Sequence, residues 1–343
     1  MKFDIWYDCR NPARWHREPS ELYAETLDQI SWADDLGFTC AWVSEHHFTD
    51  EGYLPAVMPM LAAMAMRTRR LRLGTAVLLA PLHHPLRLAE EAAVVDILSG
   101  GRLELGIAPG YRVSEFDVMG IDKRERGGRT NETIELLIQA WTRDRVDFSG
   151  EHFTFSDVPV TPHPVQTPHP PIWVGGSTPA AARRAGRYGC RFMPDSGAPA
   201  EVYSIYRDEL ERNGHPPPTE IATNMVVYVC DDPERGWSEV KDHYFYVYQT
   251  YQRWFAEAGD LTQVGQALTE PDQLSRDTHI VGTPEMVIET IERRRESHPF
   301  DRLIFWARPP GLDIDKSSRS LELFATQVLP HFQIFSGEAT PLH

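Results

Sequence analysis

A repeated alternation of strand-like and helix-like segments restricts the fold of this chain more than any other feature. Short apolar runs, typical of strands buried on both faces, recur eight times, and each is followed by a segment with helical character. Strands that alternate with helices pair in parallel through right-handed crossovers. Eight such units make a (β/α)8 or TIM barrel, so the sequence predicts an α/β fold of that kind. The predicted strands are 3–7, 41–44, 71–80, 103–108, 172–174, 191–193, 225–230 and 303–306.

Two stretches interrupt this alternation, after the fourth and after the seventh predicted strand. The first contains a charged loop (110–129), a helix (131–141), a small hairpin (148–153) and a connection with six prolines between positions 159 and 171. The second contains an aromatic helix (233–255) and a long loop (259–277). We predict that both are insertions in one barrel, because no boundary between domains is evident. The predicted organisation is a single domain, 1–335, with a loose tail, 336–343.

The composition restricts the classes of partner. The chain has 343 residues and a formal net charge of −16, which disfavours nucleic acid and anionic membrane surfaces, since both attract clustered Lys and Arg. Its four cysteines lie far apart without a CxxC pair, as is typical of core cysteines in a reducing compartment. The sequence shows no signal-peptide pattern and no apolar run of 18 residues, so we expect a cytoplasmic protein.

The second predicted strand ends in ionisable residues, Glu45, His46 and His47. In sheets of parallel strands the chemistry lies at the carboxyl ends of the strands. His46 is therefore a candidate general acid or base, because its pKa is near neutrality. The alternative is a histidine that hydrogen-bonds to the backbone in a packed barrel end. Glu45 could orient a histidine or point into the core, where a buried carboxylate needs a donor.

A metal site is a further possibility, because His46-His47 and His83-His84 are adjacent pairs at the ends of the second and third strands. Neighbouring residues on a strand point to opposite faces, so each pair offers one inward ligand. Two inward histidines with Glu45 could bind a metal. No HxH or HExxH spacing is present, however, and we predict no metal.

Two glycines and two hydroxyl residues, Gly175-Gly176-Ser177-Thr178, follow the fifth strand and lead into a helix. Glycines allow close approach of a ligand to the backbone, and the start of a helix attracts anions. Arg129, near the start of the helix after strand four, could grip the same phosphate. The alternatives are an ordinary capped turn and a solvated arginine. No GxGxxG follows the first strand, so a single phosphate, as in FMN, is favoured over a dinucleotide.

Several motifs together make the chain similar to the bacterial-luciferase-like family of flavin-dependent monooxygenases. The resemblance covers nearly the whole chain. Its motifs are Glu45-His46-His47-Phe48, Gly74-Thr75-Ala76-Val77, His84-Pro85, Ser99-Gly100-Gly101-Arg102-Leu103, Gly110-Tyr111, Arg129, Gly176-Ser177-Thr178 and Val281-Gly282-Thr283-Pro284.

The resemblance implies a TIM barrel that binds reduced FMN at its C-terminal end. Ala76 and Val77 would form the bulged segment, often with a non-prolyl cis bond, that supports the flavin ring, and Tyr111 would lie in the cofactor pocket. His46 matches the functional histidine of the family. The segment 259–279 matches the mobile loop of luciferases, which would exclude water. The phosphate would be held by Arg129, Gly175, Gly176, Ser177 and Thr178.

Two positions depart from the luciferase pattern. Pro109 replaces an arginine that precedes the glycine after strand four, which puts one phosphate contact in doubt and leaves open whether Arg112 replaces it. Ala108 occupies the position of the reactive luciferase cysteine, so light emission is not carried over. Deazaflavin-dependent members of the family have a motif similar to Ser-Asp-His-Phe at the position where this chain has Glu45-His46-His47-Phe48. This difference favours FMN as the cofactor.

The resemblance implies a monooxygenase in which reduced FMN, supplied by a separate reductase, reacts with O2 and oxygenates a small organic substrate through a flavin hydroperoxide. In this hypothesis His46 is the acid or base, Glu45 positions it, and His47 is structural. A deazaflavin-dependent hydride-transfer enzyme and a non-catalytic flavin-binding protein are the alternatives. The family also implies a homodimer through the helices 55–66 and 85–98.

Side chains around the substrate can also be suggested. The aromatic helix segment 242–251 would lie over the substrate pocket or, alternatively, pack as an outer helix. Trp306, Asp195 and Ser196, at the ends of the eighth and sixth strands, are candidates for the open side of the ring. Specificity in this fold depends on loops, so the sequence does not define the substrate.

Overall fold

The computed structural model describes residues 1–217, 220–259 and 267–334. The predicted tail, 336–343, and part of the predicted mobile loop, 260–266, lie outside the described residues. The strands are β1 (Lys2–Tyr7), β2 (Cys40–Val43), β3 (Arg72–Thr75), β4 (Leu78–Leu79), β5 (Leu103–Ala108), β6 (Val146–Ser149), β7 (Thr154–Val158), β8 (Ile172–Gly175), β9 (Arg191–Met193), β10 (Ala222–Val229), β11 (His279–Gly282) and β12 (Arg302–Trp306).

The α-helices are α1 (Pro19–Ala33), α2 (Val57–Arg67), α3 (Pro85–Ser99), α4 (Val113–Met119), α5 (Arg126–Thr142), α6 (Pro179–Arg187), α7 (Ala200–Arg212), α8 (Pro233–Glu257), α9 (Pro284–Ser297), α10 (Ile314–Leu323) and α11 (Leu329–Ile334). A π-helical turn, Phe324–Val328, joins α10 to α11. Short 3-10 turns lie at Ala13–Trp15, Ala80–Leu82, Lys123–Glu125 and Pro271–Gln273.

The main sheet is parallel and curls back on itself. Its strand order is β11-β10-β12-β1-β2-β3-β5-β8-β9, with β4 paired to β5. Two further parallel bridges, Phe192 with Ile221 and Asp195 with Asn224, connect the β9 side to the β10 side. The predicted α/β fold with parallel strands is confirmed. Because the strands run the same way, their carboxyl ends meet at one end of the sheet, which is called the site end below.

Tryptophans fill the inside of the curled sheet. Trp6, Trp42 and Trp173 belong to one buried inner cluster, on which Ala76, Val77 and Trp306 pack while staying partly exposed. Below them, Arg302 is buried between the carboxylates of Asp4 and Glu220, at 3.1 and 3.0 Å. The helices cover the outer faces through a separate, larger apolar cluster. This filling makes the inside of the curled sheet a packed core, and the partly exposed residues on it lie at or just beyond the carboxyl ends of β3 and β12.

The structure differs from the predicted elements in three places. The predicted strand 71–80 is divided into β3 and β4 by a cis peptide between Ala76 and Val77. Residues 113–119, predicted as a loop, form the short helix α4, which buries Glu115 and Phe116. β11 was not predicted, because it has four residues without a distinctive alternation, and among the described strands its partner is the distant β10.

The other differences are shifts of boundaries. The hairpin predicted at 148–153 is longer and is formed by β6 and β7. The helix predicted at 131–141 begins at Arg126. In the part of the chain that the structure describes, no helix has the length and apolar character needed to cross a membrane.

Candidate active site

His46 lies at the site end, just beyond β2, in an aromatic enclosure. Its side chain is buried, and its ring centre is 4.8 Å from that of Tyr53, 4.9 Å from that of Trp254 and 5.6 Å from that of Tyr111. Its Nδ1 donates to Oε1 of Glu115 at 2.8 Å. A bond at Nδ1 leaves Nε2 as the nitrogen that can exchange a proton with a ligand.

Glu115 is the centre of a small hydrogen-bond network. Besides His46, its Oε1 accepts from the backbone N–H of His47 at 2.9 Å and from Nη1 of Arg112 at 3.2 Å. Arg112 Nη1 also donates to the carbonyl of His47 at 2.8 Å. Arg112 therefore holds the loop that carries His46. These contacts place Arg112 beside His46. They give no support to the idea that Arg112 replaces the phosphate-binding arginine whose position Pro109 occupies.

Burial is the largest influence on the pKa of His46 and lowers it below its ordinary value. The hydrogen bond and charge of Glu115 act in the opposite direction, and the nearby cations Arg10 and Arg112 add to the lowering. The imidazole is consequently neutral at pH 7 and able to accept a proton.

The predicted role of Glu45 in orienting His46 is wrong. Glu45 is buried, and its Oε1 accepts from Nε2 of His47 at 2.7 Å and from Nε2 of His83 at 2.8 Å. Its Oε2 accepts from the backbone N–H of Leu79 at 2.6 Å. Burial would raise the pKa of Glu45, but the hydrogen bonds and charges of the two histidines hold it at about 2. Side chains of successive residues diverge, so Glu45 and His46 take different partners.

The histidine pairs do not assemble into a metal site. Among residues 1–217, 220–259 and 267–334, no group of three or more His, Cys, Asp and Glu side chains is arranged to hold a metal ion. Both imidazoles that approach Glu45 use it as a hydrogen-bond acceptor.

The two segments predicted to hold a flavin meet in space. The Ala76–Val77 bond is a non-prolyl cis peptide, as the resemblance implied. Gly175, at the end of β8, is so close to Val77 that an added Cβ would lie 2.7 Å from Val77 Cγ1. Gly176 follows with φ of +122°, a conformation that favours glycine. The segment around Val77 is therefore in contact with the loop Gly175-Gly176-Ser177-Thr178, which is called the glycine loop below. The two form one continuous surface.

The glycine loop leads into α6 through a side-chain cap. Thr178 Oγ1 accepts from the N–H of Ala181 at 3.2 Å, which fixes the first turn of the helix. Ser177 Oγ donates to Oδ2 of Asp195 at 3.0 Å and accepts from the Asp195 N–H at 2.9 Å. Asp195 is therefore brought to this loop, and its neighbour Ser196 donates from its backbone to Asn224.

Two predicted cofactor residues have other partners. Arg129 Nε donates to Glu125 at 2.9 Å, and its guanidinium lies 5.5 Å from the ring centre of Phe153. Tyr111 stacks on Phe255 at 4.7 Å, and its buried hydroxyl has no hydrogen-bond partner among the described residues. Tyr111 is thus part of the His46 enclosure, whereas contact of Arg129 with the glycine loop stays a prediction.

Helix α8 covers His46 from above. The buried guanidinium of Arg10 lies 4.6 Å from the ring centre of Tyr53, 4.8 Å from that of Tyr251 and 5.4 Å from that of Trp254. Arg10 thereby connects the end of β1 to α8 through cation–π contacts. The ring of α8 that contacts His46 is Trp254, beyond the predicted segment 242–251. The last residue of that segment, Tyr251, contacts Arg10 and Tyr53.

Trp306 lies at the rim of the inner cluster. It stacks on Trp6 with a distance of 4.1 Å between ring centres, and its Nε1 donates to Asp8 at 3.1 Å. Because it is partly exposed, it can contact a ligand above the cluster.

Four residues of this site were not predicted from the sequence, namely Arg10, Tyr53, Glu115 and Trp254. Arg10 follows β1 at its carboxyl end, and that position could have marked it. Glu115 was hidden in a stretch predicted as loop. Tyr53 and Trp254 reach His46 only through the packing of distant segments.

Comparisons with known proteins agree with this geometry. The sequence profile described as Luciferase-like monooxygenase matches residues 1–300, and the chain belongs to that family. The oxygenase component of a flavin-dependent trigonelline monooxygenase from Acinetobacter baylyi is 29% identical over 330 residues, which cover 91% of this chain and 90% of that protein.

Two further relatives represent the range of the family. An F420-dependent glucose-6-phosphate dehydrogenase from Nakamurella multipartita is 30% identical over 336 residues, 93% of this chain and 94% of that protein. The crystal structure of the monooxygenase RslO1 from Streptomyces bottropensis matches with a TM-score of 0.84 and 30% identity, over 97% of this chain and all of that chain. The family therefore contains both flavin-dependent monooxygenases and F420-dependent oxidoreductases.

Proposed function

We propose that this protein is a monooxygenase that uses reduced FMN and O2 to oxygenate a small organic substrate. The observation that carries the proposal is the contact between Val77 and Gly175, which joins a cis-peptide segment and a glycine loop into one surface. His46 lies beyond the adjoining strand at the same end of the sheet. The flavin-dependent relative from A. baylyi supports the same reading.

The residues at the site end fit FMN in two respects. The glycine loop and the start of α6 offer backbone N–H groups and the positive end of a helix dipole to a phosphate, with Ser177 and Thr178 beside them. Ala76, Val77 and Trp306 form a partly exposed apolar surface above the inner cluster, suited to an aromatic ring system. Arg129 is proposed as a further phosphate contact, made after exchange from Glu125.

Bound reduced FMN supplies the electrons that activate O2 and allow transfer of one oxygen atom to the substrate. The protein contributes position, a proton and dryness. His46 exchanges a proton with the reacting groups through Nε2, while Glu115 fixes the ring through Nδ1. The rings of Tyr53, Tyr111 and Trp254 keep water from His46, which strengthens every polar interaction there.

A second candidate function is hydride transfer with the deazaflavin F420. It is favoured by the F420-dependent relative, which is as similar in sequence as the monooxygenases. A comparison of cofactors distinguishes the two. We expect O2 consumption coupled to substrate oxygenation with reduced FMN, and no substrate reduction with reduced F420. Substrate reduction by reduced F420 without O2 uptake would replace the first proposal by the second.

The role of His46 is tested by the variant His46→Ala. We expect turnover at saturating FMN to fall by about 10²–10⁴-fold, the usual contribution of a general acid or base, with FMN affinity largely unchanged. Unchanged turnover would remove His46 from the mechanism. A wild-type protein that binds FMN but consumes no O2 with any reductant would point to the non-catalytic alternative.

Further parts of this proposal concern organisation and partners. We propose a complete (β/α)8 barrel spanning 1–335 as one domain, with insertions after β5 and β10. A separate flavin reductase would supply the reduced cofactor, as the name of the A. baylyi relative, an oxygenase component, suggests. We also propose a homodimer, supported by exposed apolar residues on α2 and α3, namely Met66, Val94, Ile97 and Leu98.

A further inference from the structure

Glu45 contacts the segment behind the proposed flavin ring at two points. Its backbone N–H donates to the carbonyl of Val77 at 3.2 Å, immediately after the cis peptide. Its carboxylate oxygen Oε2 accepts from the N–H of Leu79 at 2.6 Å. One residue at the end of β2 thus binds residues 77 and 79 from the same side.

The segment from Val77 to Leu79 has little other regular support. Its only strand, β4, consists of two residues that pair with Ile107 and Ala108 of β5. The bond from Leu79 to Glu45 ends on a buried carboxylate, and hydrogen bonds to charged groups are the stronger ones in proteins. Loss of this acceptor would leave the buried Leu79 N–H without its partner.

Two histidines complete the arrangement on the other carboxylate oxygen. Nε2 of His47 and Nε2 of His83 both donate to Oε1 of Glu45. His83 follows the 3-10 turn Ala80–Leu82, so the same carboxylate also fixes the chain beyond β4. Three of the four partners of Glu45 therefore belong to the segment 77–83, and the fourth is its near neighbour His47. None of them is His46.

We propose that Glu45 is a positioning residue that fixes the segment 77–83 against the flavin, and that it controls flavin affinity and not proton transfer. The inference rests on the proposed function, because it takes the surface of Ala76 and Val77 as the flavin support. It differs from a general structural role, since the rest of the sheet does not depend on Glu45 for its strand pairing.

The test compares Glu45→Gln with the neighbouring variant His46→Gln. The amide of Gln has one acceptor oxygen and an NH2 group that can only donate, so it cannot replace a carboxylate whose two oxygens accept from three donors. We expect the dissociation constant of FMN, titrated by fluorescence, to rise about tenfold or more in Glu45→Gln, as for loss of a charged hydrogen bond. The effect should fall mainly on the KM for reduced FMN and much less on kcat. His46→Gln should show the opposite division.

A second readout does not depend on activity. Amide hydrogen exchange of Leu79, measured without FMN, should be about tenfold faster in Glu45→Gln than in wild type or His46→Gln. The conservative variant Glu45→Asp keeps the carboxylate and should bind FMN more tightly than Glu45→Gln. If Glu45→Gln does not fold, Glu45→Asp takes its place and should bind FMN less tightly than wild type. Unchanged Leu79 exchange together with unchanged FMN affinity in Glu45→Gln would overturn the inference.

The two proposals can fail separately. If wild-type protein binds F420 and not FMN, the proposed function is wrong, while Leu79 exchange in Glu45→Gln still decides the role of Glu45. If wild-type protein oxygenates with FMN and Glu45→Gln loses kcat with unchanged FMN affinity and Leu79 exchange, the proposed function stands and the positioning role is excluded.

Discussion

At the residue scale, the pairing with Glu115 is the feature on which the proposed acid or base role of the buried His46 depends. Burial by itself lowers the pKa of His46 and does not fix the orientation of its ring. The carboxylate at 2.8 Å partly restores the pKa and fixes the tautomer. Catalytic histidines often depend on such a partner, which sets both orientation and basicity.

The variant Glu115→Gln tests this pairing. The substitution removes a charge that raises the pKa of His46, so that pKa should fall further below its ordinary value. If neutral His46 is the active form, the acid limb of the kcat profile should move to lower pH. Turnover at pH 7 should fall by about tenfold through loss of orientation. The profile is measured at saturating FMN, and an acid limb that moves to higher pH would contradict the assignment.

The sequence defined the site only as far as local motifs reach. Glu45, His46 and the glycines were recognisable because their residue types and their places at strand ends are informative in themselves. The actual partners were not recognisable. His46 pairs with Glu115, 69 residues away, and Glu45 pairs with His83, 38 residues away. Which carboxylate meets which histidine depends on side-chain packing between elements, and residue spacing does not encode it.

At the element scale, α8 has the most direct influence on the site after the strands themselves. Trp254 contacts His46 and also lies over the guanidinium groups of Arg10 and Arg112. Tyr246 Oη donates to Glu51 at 2.5 Å and adds a polar contact to the same cover. Because buried aromatic rings contribute large contact areas, we expect this end of α8 to limit the access of water to His46.

The variant Trp254→Ala should weaken the coupling of O2 consumption to oxygenation. Removal of the ring admits water to His46 and raises its pKa towards the ordinary value. We expect a several-fold increase in hydrogen peroxide released per O2 consumed, measured with a peroxide assay beside an oxygen electrode. Trp237→Ala is the matched control, because Trp237 is on the same helix but packs in the separate cluster of Tyr228 and Leu312. Equal uncoupling in both variants would attribute the effect to general loosening of α8.

The same scale shows why some elements were predictable and others were not. The strands inside the sheet have short apolar runs, such as Cys40–Val43, and their number and direction follow from the alternation with helices. α4 and β11 are short and depend on tertiary contacts for their existence, since seven and four residues provide little periodicity. The sequence therefore predicts the frame of the fold more fully than these two short elements.

At the scale of the whole molecule, Glu45 should make the fold sensitive to acid. Its pKa is held at about 2 in the folded protein, below its usual 4.5, so the carboxylate stabilises the fold fully above pH 4.5. This stabilisation is lost as the pH falls from 4.5 towards 2, because protons bind the unfolded chain first. Over that window the loss amounts to roughly 3 kcal/mol. Urea unfolding between pH 6 and pH 3 should show a smaller decrease in Glu45→Gln, and parallel curves would contradict the assignment.

The outer surface of the molecule leads to the last prediction. On α3, Val94, Ile97 and Leu98 are each more than 40% exposed, at the spacing that places them on one face. Met66, at the end of α2, is 70% exposed, and the two helices are packed side by side. Several large apolar side chains exposed on neighbouring helices are costly in water and are typical of an interface.

We therefore expect a dimer at micromolar concentration, with this face repeated on both copies as in most two-fold interfaces. The double variant Ile97→Glu and Leu98→Glu should sediment as a monomer, since each copy would bring two charges into the apolar contact. Val118→Glu is the control, because Val118 is 62% exposed on α4 and lies outside this face. Dimers that survive the double variant, or that dissociate in Val118→Glu, would place the interface elsewhere.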